Sequence, residues 1–294
     1  MKYLTTKTED GIKFTGLLSE SPNSKRIILH IHGMAGDIYT NSFYPFMNKY
    51  YPENGWSFLV VEHRGTHSVT QFNGDNGIRN IGNAYEKFED SVLDIKAWVK
   101  KLQELGYEEI WLQSHSLGPS KVTYYMNIAR DNPIQGLIWL SPSDMIGLVN
   151  DPEGKKDHEI CINEARYLID IGEESKILSH DLWGCMRLSA STYNNFFGED
   201  ANTAIFNYGD NLRGWGMVNN IKVPVIAFTG TKDDGIVPVM DAYKAMELLK
   251  NQLINSPRKK MVVLDEANHD FEGFGDEIVK EVLNFISKKN EAKK

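Results

Sequence analysis

Cysteine is nearly absent from this 294-residue chain, which carries only Cys161 and Cys185. Two cysteines are too few for a disulfide scaffold, and neither falls in the spacing of a zinc site. Reduced cytoplasmic thiols are expected, with a single Cys161–Cys185 bridge left open. Long apolar runs are missing as well. No stretch approaches the roughly 18 uninterrupted apolar residues of a membrane span, and the opening MKYLTTKTEDGIKF lacks the apolar segment of a secretory leader. The expectation is a cytoplasmic protein with no membrane partner. Positive charge is in deficit, with 32 Lys and Arg against 40 Asp and Glu, a net charge of −8. Such a chain lacks the basic footprint of a nucleic-acid binder. Neither G-x-G-x-x-G nor G-x-x-x-x-G-K-S/T occurs, so nucleotide binding has no support and no cofactor is expected. Repeats and Gly/Ser linkers are also lacking, which argues against a domain on a tether. What is present is 41% hydrophobic and 24% charged, the composition of an ordinary folded protein. Its length suits two domains or one large domain with an insertion. Nothing in it speaks to oligomeric state.

Short apolar runs alternate with amphipathic segments, the pattern of a mainly parallel sheet covered by helices on both faces. Residues 2–8 and 13–19 flank Glu9-Asp10-Gly11 and predict an opening antiparallel hairpin. Six further strands are predicted at residues 26–32, 57–62, 109–113, 136–141, 223–229 and 260–265. Helices are predicted over 86–105, where Phe88, Val92, Ile95, Val99 and Leu102 recur at spacings of four and three, and over 121–130 and 276–288. The tail, residues 288–294, is expected to fray. Residues 143–220 break the alternation. They contain helix-like pieces (158–171 and 175–182), many aromatics and no convincing strand. The expected organisation is therefore a core of residues 1–142 and 221–294, with 143–220 inserted as a helical cap.

Four segments carry the chemistry, each at the carboxyl end of a predicted parallel strand, where open α/β sheets bind ligands. Ser114-His115-Ser116-Leu117-Gly118 lies between a strand and a helix. A sharp turn there strains its central residue and needs small neighbours two positions away, which Ser114 and Gly118 supply, so Ser116 is the candidate nucleophile. His32-Gly33-Met34 follows another strand, and the Met34 amide, with that of Leu117, could hold an oxyanion. Asn268-His269-Asp270 follows the last strand and offers His269 as general base. Gly230-Thr231-Lys232-Asp233-Asp234-Gly235 offers a carboxylate to orient it, either Asp233 or Asp234. His63 and His67 have an i, i+4 spacing, but Gly65 between them argues for a turn, so no metal site is expected.

In combination these segments resemble the α/β-hydrolase superfamily over most of the chain. The Arg64-Gly65 pair looks like the start of that family's RG-x-G-x-S turn, although His67 and Val69 replace the expected Gly and Ser. Ser114 likewise replaces the usual first Gly of the elbow. The stretch SHSLGPSKVTYY, residues 114–125, also resembles a poorly characterised branch that includes siderophore-ester hydrolases. The resemblance implies an eight-stranded, mostly parallel sheet and hydrolysis of a small ester through an acyl-enzyme on Ser116. The family's G-x-x-D spacing selects Asp233 as the triad acid, while its D-x-x-V-P spacing selects Asp234; the rigid strand end favours Asp233. Trp183, Met186, Phe196 and Phe197 suggest an apolar or aromatic substrate pocket. Acyl transfer, peptide hydrolysis or a ligand receptor with vestigial turnover would use the same constellation.

Overall fold

In the computed structural model, which describes residues 1–287, the apolar runs form one eight-stranded sheet. The hairpin of β1 (Lys2–Lys7) and β2 (Lys13–Ser19) is antiparallel. It is followed by β3 (Arg26–Ile31) and β4 (Ser57–Val61), then by a small separate hairpin of β5 (Gln71–Gly74) and β6 (Gly77–Asn80). The sheet resumes with β7 (Glu109–His115), β8 (Ile134–Leu140), β9 (Val225–Lys232) and β10 (Lys259–Asn268). Across the sheet the order is β1-β2-β4-β3-β7-β8-β9-β10, parallel from β4 onward. Successive side chains of a strand point to opposite faces, and here both faces are apolar. Ile27, Leu29 and Ile31 of β3 join one buried cluster while Ile28 joins the other; Leu59 and Val61 of β4 likewise oppose Phe58 and Val60.

Helix α1 (Tyr44–Glu53) covers one face through Tyr44, Met47 and Tyr51. The other face is covered by α2 (Ser91–Glu104) and α3 (Gly118–Ile128). The β8–β9 connection holds α4 (Met145–Asn150), α5 (Gly154–Asp170), α6 (Ala190–Phe197) and α7 (Gly216–Asn219), and it contributes no strand to the sheet among the described residues. Helix α8 (Ala242–Gln252) adds Ala245 and Leu249 to the α2 and α3 side, while α9 (Gly275–Ser287) packs beside α1. The chain steps outward from β3 to β4 and then returns across to β7. Strand order therefore reverses between β3 and β7, opening a crevice at their carboxyl ends. No helix among the described residues is long and apolar enough to cross a membrane.

Several local expectations need correction. The helix predicted over 86–105 begins later, with a 3₁₀ turn at Phe88–Asp90 leading into α2. Its intended first turn is held elsewhere: Glu86 is buried against Lys121 Nζ at 2.6 Å, and the Phe88 amide donates to Asn195 Oδ1. The helix predicted over 175–182 does not form. Antiparallel bridges Ile177–Ser189 and Leu182–Met186 take up that backbone instead, closed by Trp183 and Gly184 at φ +53° and +69°. Helices α1 and α8 and the β5–β6 hairpin are additions to the expected core elements. The fraying expected for residues 288–294 lies outside the described residues.

Candidate active site

The HG turn after β3 and the elbow after β7 meet at the crevice. Ser116 has φ +61°, the left-handed region that side chains other than glycine seldom enter. Its amide donates to the Leu140 carbonyl, which fastens the turn to β8. The close approach that the turn demands is visible at Gly118, where a Cβ would lie 2.4 Å from the Ile31 carbonyl oxygen. Ser114, fully buried, fits the position where a glycine was expected.

Across the crevice, His269 Nε2 lies 2.9 Å from Ser116 Oγ and Nδ1 lies 2.7 Å from Asp233 Oδ1. Asp233 is fully buried, whereas Asp234 is 84% exposed and 3.8 Å from Nδ1. Gly235 makes room for this packing, since a Cβ there would meet the imidazole of His269 at 2.5 Å. The Asp233 carboxylate also accepts from Thr229 Oγ1 and from the Gly235 amide, each at 2.9 Å. Burial disfavours its charge, but the bond and charge of His269 and the hydroxyls of Ser141 and Thr229 outweigh this and hold its carboxyl below the usual range. Removal from bulk water likewise disfavours the His269 imidazolium. Asp233, assisted by the charges of Asp234 and Asp270, more than offsets that and raises the imidazole above its ordinary value. His115 is different: burial, then the neighbouring His269, pushes it down to about 4. Its Nε2 donates to the His269 carbonyl at 2.8 Å, supporting the loop from beneath.

The Met34 and Leu117 amides lie in the two turns that flank Ser116, and neither donates to an acceptor among the described residues. Both are left as hydrogen-bond donors at the crevice beside the Ser116 hydroxyl. Two neutral imidazoles brace the HG turn. His32 Nδ1 is 2.9 Å from the Gly33 carbonyl, His63 Nε2 is 3.2 Å from the His32 carbonyl, and the rings stack with centroids 3.8 Å apart. Burial pushes His32 down to about 3. His63 and His67 do not converge on a metal position, because His67 turns away to the Tyr39 hydroxyl. His67 also takes φ +54°, so the loop keeps the shape for which its expected glycine is suited. Arg64 beside it is buried against Asp94 at 2.7 Å and Asp90 at 2.9 Å, tying the end of β4 to α2. Asp233, Asp234 and His269 offer ligand atoms within 4.8 Å of one another, but Asp233 and Ser116 already engage both ring nitrogens.

A cavity of about 660 Å³ opens over Ser116. Its floor is Gly33, Met34, His115 and His269, and the β8–β9 connection supplies Met145, Leu148, Trp183 and Met186 to its wall. Phe196 and Phe197 do not reach it. They are 0% and 4% exposed and pack on Phe88, Tyr193 and Trp183, since α6 turns its apolar face into the interior rather than toward the crevice. Cys161 is buried and Cys185 stands exposed at the cavity, and the two are unpaired.

No protein-family model and no curated protein matches the sequence. Solved structures do match it. Est1E from Butyrivibrio proteoclasticus with ferulic acid bound has a TM-score of 0.62 at 18% identity, covering 97% of this chain and 100% of its own. The siderophore hydrolase EstB from Aspergillus fumigatus has a TM-score of 0.70 at 12% identity, with 99% and 98% covered. A soluble variant of Saccharomyces cerevisiae monoglyceride lipase with a substrate analogue has a TM-score of 0.60 at 17% identity, with 96% and 92% covered. The chain has the α/β-hydrolase fold. Within that fold, the contact missed by sequence reasoning is Ser141. Its hydroxyl lies 3.0 Å from Asp233 Oδ1 and 2.9 Å from His269 Nδ1, and no motif marks it.

Proposed function

We propose that the protein is a serine hydrolase that cleaves carboxylic esters of small, apolar or aromatic substrates through an acyl-enzyme. One observation carries this reading: a strained Ser116 whose Oγ is 2.9 Å from an imidazole that a buried carboxylate holds from behind at 2.7 Å. Ser116 Oγ attacks the ester carbonyl while His269 takes its proton through Nε2. The Met34 and Leu117 amides receive the oxyanion. His269 then returns the proton to the departing alcohol, and a water molecule activated in the same way releases the acid. Asp233 keeps the reactive tautomer and stabilises the imidazolium. Fold neighbours named an esterase, a siderophore hydrolase and a monoglyceride lipase support this reading. The test is a panel of aryl and alkyl esters of graded acyl size, followed through many turnovers, with alcohols and amines added to detect acyl transfer. Absence of repeated turnover on every ester would point to a receptor instead.

Two expectations follow from the geometry. Because Asp233 raises the imidazole of His269, kcat/KM should fall on the acid side with a midpoint above the ordinary imidazole value of about 6.5. The sign is simple: protonated His269 cannot accept from Ser116, and a raised pKa brings that loss to higher pH. A pH–rate profile flat down to about pH 5 would contradict the role. Residues 143–220 act as a cap that selects the substrate, so trimming Trp183 and Met186 to alanine should change the ratio of kcat/KM for bulky against small esters by about tenfold. Phe197→Ala, by contrast, should lower the melting temperature, since Phe197 is in the interior.

A further inference from the structure

Ser141 follows β8 directly and has φ +49°, a left-handed conformation that costs a serine energy and a glycine little. Its amide donates to the Phe228 carbonyl at 2.8 Å, and its own carbonyl accepts from Ser143 Oγ at 3.2 Å. The backbone is thus tied to β9 and to the start of the β8–β9 connection. Held this way, the fully buried side chain reaches both Asp233 Oδ1 at 3.0 Å and His269 Nδ1 at 2.9 Å. With the Nδ1–Oδ1 contact at 2.7 Å, the three atoms form a nearly equilateral triangle.

The protons in this triangle have one consistent arrangement. An ionised carboxylate only accepts, so the 2.7 Å contact places a proton on Nδ1. Ser141 then cannot donate to Nδ1. Its hydroxyl donates to Oδ1 and turns a lone pair toward the Nδ1 proton. We propose, resting on the reading of the site given above, that Ser141 is a positioning residue for His269, a second acceptor for the Nδ1 proton and a donor to the carboxylate beside it. One acceptor lets the N–H bond tilt about it. Two acceptors that straddle the N–H bond fix its direction, and together with the Nε2 contact to Ser116 Oγ at 2.9 Å they set how the ring faces the serine. When the hydroxyl is removed the carboxylate loses one donor but keeps Thr229 Oγ1 and the Gly235 amide, while the Nδ1 proton loses its second acceptor.

Ser141→Gly and Ser141→Ala in the full chain test this. Glycine removes the hydroxyl and relaxes the left-handed backbone, while alanine removes the hydroxyl alone. The other titratable groups facing His269, namely Asp234, Asp270 and His115, are left in place. Both variants are expected to lose about tenfold in kcat with KM within about twofold, and Ser141→Gly should melt no lower than wild type. The His269 titration followed by NMR should move to lower pH in both, because the imidazolium has lost an acceptor. A wild-type kcat and an unmoved His269 titration in Ser141→Gly would overturn the inference. So would a loss confined to Ser141→Ala with a lower melting temperature, which is a backbone effect. If the wild-type protein shows no Ser116-dependent turnover, the hydrolase reading fails by itself, and the NMR titration still decides for or against Ser141.

Discussion

Ser116→Ala is expected to lower kcat on any ester the protein turns over by about 10⁴ to 10⁶, leaving only what the free amides and the cavity contribute by binding. Removing the nucleophile costs nearly as much as removing the whole set, because His269 has no function once nothing at 2.9 Å gives it a proton. The fold should be unaffected. Alanine inherits the same φ of +61°, and the Ser116 amide keeps its bond to the Leu140 carbonyl. Two other serines stand close in sequence, Ser114 and Ser120, but both are 0% exposed and neither hydroxyl has a partner. A fluorophosphonate should therefore modify Ser116 alone and abolish turnover. Recovery of the adduct on Ser114 or Ser120, or full activity in Ser116→Ala, would refute the mechanism, and mass spectrometry of the labelled peptide distinguishes the three.

How much of this could be read in advance depended on whether a residue acts through local spacing or through distant neighbours. The strands were legible because a parallel sheet buried on both faces leaves no polar alternation, as in the runs around Leu29 and Val60. The gathering of the four segments followed from them, since residues just past parallel strand ends must meet at one edge. Helix α1 was hidden because Pro45 and Pro52 and a run of aromatics blur its period, although tertiary packing of Tyr44, Met47 and Tyr51 sustains it. Phe196 and Phe197 failed for a different reason: an aromatic side chain suits a cavity wall and a packed interior equally, and only the rotation of α6 decides. Ser141 had no local signal at all. Its hydroxyl matters through a left-handed backbone and through two partners 92 and 128 positions away.

Asp233→Asn should keep the fold and lower kcat by up to about 10⁴, whereas Asp234→Asn should cost far less. The two differ in what surrounds them. Asp233 is fully buried and accepts from His269 Nδ1, Ser141 Oγ, Thr229 Oγ1 and the Gly235 amide, so its charge is compensated on every side. Asp234 is 84% exposed, where water screens its charge, and its oxygen stands 3.8 Å from Nδ1, beyond a hydrogen bond. An asparagine at 233 can present its amide N–H₂ to Nδ1, which forces the proton onto Nε2 and leaves Ser116 facing a donor instead of a base. The acid limb of the pH profile should move down in Asp233→Asn, since the group that raises His269 is gone, and should move down only slightly in Asp234→Asn, which removes a lesser charge. If Asp234→Asn proves the more damaging, the carboxylate that serves the imidazole during turnover is the exposed one, and the loop must close over His269 when substrate binds.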